Sequence, residues 1–198
     1  MDVDSNSRGA LPSVVVAVSG ASGMIYAQDL LENLRAAPVR VDLVVTAGAK
    51  QVLASEEGVD LESLTSLADQ VHKDTDLGAA FASGSRRPQG MVVVPCSAGT
   101  LAQVAQGMTS SLVTRAAHVC LKERAPLVLV VREAPYSRPM LVNMLAANDA
   151  GAVILPASPG FYHRPTTISD LVGSVTARAL DHIGIRNERV VRWRQDEA

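Results

Sequence analysis

Residues 14–27 read Val-Val-Val-Ala-Val-Ser-Gly-Ala-Ser-Gly-Met-Ile-Tyr-Ala, and this stretch limits the fold more than any other. A β-branched apolar run that breaks at small residues and passes into a helical pattern predicts a strand, a tight turn and a helix. Gly20 and Gly23 let the backbone approach a ligand with no Cβ in the way, and the amides opening the next helix point at whatever sits above the strand end. An anion fits there. The spacing is not a dinucleotide fingerprint, because the third glycine of G-x-G-x-x-G is missing, and not a Walker loop, because no G-K-[ST] follows. Such a turn serves close strand–helix packing equally well, so alone it leaves both readings open.

Further along, the pattern predicts a helix over 26–36, with Leu30, Leu31 and Leu34 on one face, and a second strand over 39–46. A helix over 47–55 stops near Gly58. Residues 58–89 are polar and irregular and read as a crossing loop with one short helix over 61–68. A third buried strand, 91–94, runs into Pro95-Cys96-Ser97-Ala98-Gly99-Thr100, a second small-residue turn facing the same crevice as the first. Helical pattern over 101–106 and 111–123 precedes the all-apolar strand 127–131, which fits a parallel strand covered on both faces. A helix through Ala147, a fifth strand over 152–155 and a helix over 169–183 complete the chain. The fold class is α/β, a doubly wound, flavodoxin-like (Rossmann-like) open parallel sheet in a single domain, whose ligands bind outside the carboxyl ends of the strands.

A length of 198 residues, 47% hydrophobic and 19% charged, suits one globular domain. Residues 1–10 read as a tail, 11–185 as the domain, and 186–198 as a second tail carrying Trp193. A net charge of -2 and 3% aromatic residues argue against a nucleic-acid surface. Cys96 and Cys120 are too few and too far apart for a disulfide framework, which points to reduced thiols and a cytoplasmic protein. No segment reaches the eighteen or so apolar residues of a membrane span. The histidines at 72, 118, 163 and 182 show no metal spacing, and no metal is assigned.

Strand-end positions gather Ser22, Thr46, Ser97, Thr100 and Arg132, and the loop after the fifth strand adds Tyr162, His163 and Arg164. Hydroxyls, amides and a guanidinium on one rim make an oxyanion or phosphate cradle. Each hydroxyl taken alone reads first as a helix cap. Arg132, directly after five apolar residues, either leaves the sheet for solvent or meets a buried anion. Locally, Glu56 and Lys122 read as helix-end charges, Arg178 as part of a polar helix face, and Cys96 as a small core residue rather than a nucleophile. Trp193, among Arg189, Arg192 and Arg194, needs a partner subunit or a ligand to pack against.

Four ordered motifs are similar to those of one family: Ser-Gly-Ala-Ser-Gly at 19–23, Pro-Cys-Ser-Ala-Gly-Thr at 95–100, Leu-Lys-Glu-Arg-Ala-Pro-Leu-Val-Leu-Val-Val-Arg-Glu-Ala-Pro at 121–135, and Pro-Gly-Phe-Tyr-His-Arg-Pro at 159–165. They resemble the UbiX family of flavin prenyltransferases, from about Val14 to Trp193. The resemblance implies a homo-oligomer, commonly a dodecamer, that joins a dimethylallyl group to reduced FMN and closes a fourth ring on the flavin. Prenylated FMN then serves a UbiD-type decarboxylase. By motif, Gly20, Ala21, Ser22, Thr46, Ser97, Ala98, Gly99, Thr100 and Arg132 resemble the FMN contacts. Lys122, Tyr162 and Arg178, with Arg132 nearby, resemble the holders of dimethylallyl phosphate. Glu56 and Ser22 resemble the pair beside the reacting flavin, and Trp193 the ring at the mouth of the prenyl site.

These residue types suit the chemistry implied. Cations and a phenol stabilise charge on a departing phosphate, and Glu56 is a group able to move protons during ring closure. The sequence does not distinguish a monophosphate donor from a diphosphate. Residues 58–89 match the family only loosely. FMN-dependent peptidyl-cysteine decarboxylases share the fold, but their Pro-Ala-Ser-Ala-Asn-Thr run and catalytic histidine are not matched at 95–100. A non-catalytic FMN carrier would need the cradle at Ser22 and Arg132 but not Lys122, Tyr162 or Arg178.

Overall fold

A computed structural model of the chain describes residues 11–187. The expected tail at 1–10, and Trp193 with its neighbouring arginines, lie outside the described residues. In chain order the elements are β1 (Ser13–Val18), α1 (Met24–Ala36), β2 (Arg40–Val45), α2 (Ala47–Leu53), α3 (Leu61–Ser66), β3 (Gln70–His72), β4 (Gly90–Cys96), α4 (Ala98–Ala105), α5 (Leu112–Lys122), β5 (Leu127–Val131), α6 (Arg138–Asp149), β6 (Val153–Pro156) and α7 (Ile168–His182). All neighbouring strands pair in parallel, in the order β3-β2-β1-β4-β5-β6.

The valine-rich strands are buried on both faces, as an all-apolar parallel strand requires. Val14, Val16, Val18, Leu43, Val92 and Val128 face a layer formed by Leu30, Leu31 and Leu34 of α1 and Val175, Ala179 and Leu180 of α7. The alternate residues Val15, Ala17, Met91, Val93, Leu127 and Leu129 face Leu101 of α4, Val113, Ala116 and Cys120 of α5, and Met140 and Ala147 of α6. Three layers result, and the period of two along each strand decides which helix layer a residue meets. From β1 the chain winds outward to β2 and β3; it then returns to pair β4 with the other side of β1 and winds outward again to β5 and β6. The order reverses between β1 and β4, which is where a doubly wound sheet opens a crevice.

The structure corrects one part of the sequence reading. Residues 58–89 contain a sixth strand, β3, as well as the short helix that was expected; α3 begins with a capping box between Asp60 and Ser63. With five strands the order would read 2-1-3-4-5; the added edge strand makes it 3-2-1-4-5-6. Three residues with one apolar member carry no strand signal, and polar groups on β2 hold them in place. Asp42 is 1% exposed and takes a hydrogen bond from Arg40 Nη2 at 2.8 Å, while its other oxygen lies 2.9 Å from His72 Nε2 on β3. Just before β3, the Asp69 carboxylate accepts from the Val41 amide at 2.8 Å.

Removing the Asp42 carboxylate would leave two polar groups facing a buried position. Asp42→Ala is expected to cost about 2–4 kcal/mol of stability, and Asp42→Asn, which keeps an acceptor, less. Chemical denaturation of the two variants beside the parent chain checks the order.

Candidate functional site

The carboxyl ends of the strands are tied into one rim. Thr46 N donates to Val18 O at 3.0 Å, Ser19 N to Pro95 O at 3.2 Å, Arg132 N to Cys96 O at 3.2 Å, and Ala157 N to Val131 O at 2.9 Å. These bonds set the ends of β2, β1, β4, β5 and β6 side by side. At the switch point the fully buried Ser19 hydroxyl donates to Pro95 O at 2.9 Å and accepts from Ser97 N at 2.8 Å. The two small-residue turns therefore share a crevice, as expected, and a serine that the sequence reading passed over is what joins them.

Two glycines are required for that closeness. A Cβ on Gly20 would meet backbone atoms of Gly48 at 3.0–3.2 Å, so the first turn packs directly on the start of α2. Gly23 takes φ 104, a left-handed conformation that favours glycine. Beside it lies the half-buried ring of Tyr26, whose hydroxyl pKa is raised by burial; the sequence reading did not single it out.

Thr46 and Ser97 are both helix caps. Thr46 Oγ1 accepts from Ala49 N at 3.1 Å, and Ser97 Oγ accepts from Thr100 N at 3.3 Å while donating to Thr100 Oγ1 at 3.1 Å. Capping and ligand binding are compatible here. With Thr100 N taken by Ser97, the Ala98 and Gly99 amides still have no intrahelical acceptor. A Cβ on Gly99 would meet nothing within 4 Å, so this first turn of α4 opens onto free space that an anionic ligand can enter.

The first turn of α1 is different, because its anion is built in. Gly23 gives α1 no side-chain cap; instead Glu56 Oε1 accepts from Gly23 N at 2.8 Å and Oε2 from Met24 N at 2.9 Å. Partial burial pushes the Glu56 pKa up, but hydrogen bonds from the Ser22 side chain and the Met24 and Gly23 amides, with the nearby Arg132 charge, outweigh it. The net effect is a carboxyl held below its ordinary value of 4.5. Glu56 thus stands at neutral pH as a carboxylate, able to accept a proton. Arg132 is half-buried and neither dangles nor meets a carboxylate directly. Its Nε donates to Ser22 O at 2.8 Å, and its Nη groups donate to none of the described residues. Cys96 is a core residue whose thiol burial pushes up to about 12, which makes it unreactive.

The remaining site candidates divide between the two edges of the sheet. Tyr162 follows β6 and lies at the crevice edge. Lys122 and Arg178 do not join it within one chain. Lys122 ends α5 just before β5 starts, and α7 ends beside Gln89 and Gly90 at the start of β4. Lys122 therefore lies at the amino edge, with Arg178 one turn before the end of α7. That edge is roughly 20 Å from the crevice, the length of a seven-residue strand. Lys122 Nζ pairs there with Glu123 Oε1, and Arg178 lies 3.8 Å from Asp181. The segment 83–87 packs on this part of α5: a Cβ on Gly84 would collide with Lys122 Nζ, and Arg87 reaches Glu123 O at 3.5 Å. Arg115, two turns earlier on the same exposed face of α5, donates to Ala82 O at 3.2 Å and extends the cationic stripe. The seven-residue spacing from Lys122 is the sequence signal that would have found it.

The lowered Glu56 pKa carries a sign. A carboxyl whose folded pKa is depressed adds stability above its ordinary value and loses it as pH falls through the folded one. Glu56→Gln should therefore lower the melting temperature at pH 7, with the gap to the parent narrowing below pH 4.5. Melting curves across an acid pH series give the comparison.

Against known proteins, residues 4–176 match the family model for flavoproteins. The flavin prenyltransferase UbiX of Deinococcus radiodurans is 59% identical over 187 residues, 94% of this chain and 96% of that protein. Among solved structures, AnUbiX in complex with FMN and dimethylallyl pyrophosphate superposes with a TM-score of 0.89 at 40% identity, covering 92% of this chain and 97% of the other. A dodecameric FMN-dependent UbiX-like decarboxylase from Escherichia coli O157:H7 gives 0.88 at 40% identity, over 92% and 99%. With a family model over most of its length and a relative of this identity over nearly all of it, the chain belongs to the flavoproteins and, among them, to the flavin prenyltransferases of the UbiX type.

Proposed function

We propose that this chain transfers a dimethylallyl group from dimethylallyl phosphate to reduced FMN, making the prenylated flavin for a UbiD-type decarboxylase. The observation that carries the reading is the crevice at the β1/β4 switch point. There a carboxylate, Glu56, and a guanidinium, Arg132, converge on the Ser22 turn beside an open helix start at Ala98 and Gly99. FMN suits that opening, because two free amides, the Thr46, Ser97 and Thr100 hydroxyls and the Gly20-Ala21-Ser22 backbone offer donors to a phosphate and to ring carbonyls. Reduced FMN held there would supply the nucleophile to the allylic carbon, whose bonding electrons would leave with the phosphate.

The residues of the chain then act on charge and protons. Arg132, whose Nη groups donate to none of the described residues, stabilises the negative charge that grows on the departing phosphate, and the Tyr162 phenol adds a neutral donor. Lys122 and Arg178 complete the phosphate site from other copies of the chain, since within one copy they lie at the opposite edge of the sheet and on opposite faces of it. A homo-oligomer follows, and a dodecamer like the UbiX-like neighbour is the assembly we propose. Glu56 accepts a proton released as the new ring closes, and Ser22, bonded to it, holds it in place. Trp193, outside the described residues, is the ring that the motif resemblance assigns to the mouth of the prenyl site. The neighbour that holds dimethylallyl pyrophosphate makes the diphosphate the second donor to try. Cys96 and Cys120 are free, buried thiols, which fits a cytoplasmic enzyme.

Anaerobic incubation with reduced FMN and dimethylallyl phosphate, followed by mass spectrometry of the extracted flavin, tests the reaction: a gain of one prenyl unit is expected, and unchanged FMN would overturn it. In single-turnover form, Glu56→Gln should slow formation of the product by roughly 100- to 10,000-fold while FMN still binds. Shared sites have their own signature. Arg132→Ala and Lys122→Ala should each abolish donor use, whereas mixed oligomers from co-expression of the two variants regain activity, because some sites then hold both native side chains. No regain would place both residues in one copy's site and refute the sharing.

A further inference from the structure

The turn at 160–164, between β6 and α7, holds Tyr162 in an unusual setting. Phe161 and Tyr162 are 69% and 57% exposed. The Tyr162 ring nevertheless lies on backbone: a Cβ on Gly160 would meet its Cε1 at 3.1 Å and its Cδ1 at 3.3 Å. The His163 imidazole packs against it in a T-shaped contact, with ring centroids 5.5 Å apart and planes at 78°. The turn closes through Arg164 N donating to Phe161 O at 3.0 Å, and Arg164 adopts φ 55, a conformation disfavoured for residues other than glycine. Both ring nitrogens of His163 are shielded from solvent, and neither has a hydrogen-bond partner among the described residues. An imidazole held in this way has given up its bonds to water. In return it gains the ring contact.

We infer that His163 is a positioning residue for Tyr162, acting through its ring rather than through its nitrogens. The inference rests on the reading of Tyr162 as a holder of the donor phosphate. An exposed tyrosine must freeze two side-chain rotors when its hydroxyl meets an anion, and a neighbour that restricts them beforehand removes that cost from binding. The step after binding is untouched. Loss of His163 should therefore appear in KM for the donor and leave kcat and FMN affinity alone.

The experiment uses the assembled full-length chain and four variants: His163→Ala, His163→Phe, His163→Gln and Tyr162→Phe. Steady-state kinetics with dimethylallyl phosphate are read beside FMN affinity from flavin fluorescence and the melting temperature. His163→Ala is expected to raise KM by about 2- to 10-fold, the range of an aromatic pair contact, with kcat and FMN affinity unchanged. His163→Phe keeps a ring without nitrogens and should restore KM; its melting temperature should not fall, since no hydrogen bond is lost. His163→Gln keeps polar atoms without a ring and should behave as the alanine variant does.

Rescue by glutamine and not by phenylalanine would show that the nitrogens matter and overturn the inference. So would a wild-type KM in His163→Ala while Tyr162→Phe is impaired. An unchanged KM in Tyr162→Phe would instead overturn the role of Tyr162 itself, so the two failures are distinct. Should the alanine variant fail to fold, the phenylalanine and glutamine variants carry the comparison.

Discussion

The Ser19 hydroxyl donates to the Pro95 carbonyl and accepts from the Ser97 amide, and these two bonds lock β1 to β4 where the strand order reverses. At that point α1 and α4 leave on opposite faces of the sheet, so the two turns diverge. An apolar residue at 19 would leave the Ser97 amide unsatisfied at a buried position, costing about 1–3 kcal/mol, while the Pro95 carbonyl would keep only its bond from the backbone amide of residue 19. A larger polar residue would push the turns apart. The crevice hangs on this link: Ser97 goes on to cap α4, and the Cys96 carbonyl receives the Arg132 amide that sets the base of the guanidinium.

With the turns fixed, the two helix starts in the crevice take opposite roles. The α1 start already holds an anion, the Glu56 carboxylate, which satisfies two amides that a glycine cap leaves open. Among the described residues no carboxylate meets the α4 start, and Gly99 keeps it clear. The α4 start is therefore the one that suits a ligand anion, and the carboxylate beside α1 is left available for the proton transfer proposed above. Arg132 sits between them, close enough to lower the Glu56 pKa and yet, among the described residues, bonded to a backbone carbonyl rather than to a carboxylate.

What could be read from the sequence follows from how far each signal reaches. The buried strands declare themselves in runs such as Leu-Val-Leu-Val-Val, because burial on both faces leaves no polar positions. β3 has no such run; its place depends on Asp42 and on Asp69, whose partners lie on a different strand. Thr46 and Ser97 are legible as caps from the residues that follow them. Glu56 is legible only as a helix-end acid, since the amides it caps lie 32 and 33 residues away. Ser19 looks like one more small residue in a turn, and its partners at 95 and 97 come into view only when β1 and β4 pair. Lys122 and Arg178 stand in recognisable motifs, but a motif records order along the chain and not which edge of the sheet a helix ends on.

That last distinction has a structural cause. In a parallel sheet wound with helices, each helix runs antiparallel to the strands, so helix carboxyl ends collect at the edge where strands begin. A cation in the last turn of α5 or α7 is separated from one at the end of β5 by about the length of a strand, and no rotamer closes that distance. Within one copy, moreover, Lys122 faces Glu123 and Arg178 faces Asp181, so each cation has an acidic neighbour on its own helix or at its end. In the proposed shared site, bringing both edges together across a subunit boundary would concentrate positive charge only where a phosphate is to be held, and the isolated chain would avoid the repulsion that a preformed cluster would cost. The fold that makes the flavin crevice within one copy thus also requires a prenyl phosphate site built from these residues to be shared between copies.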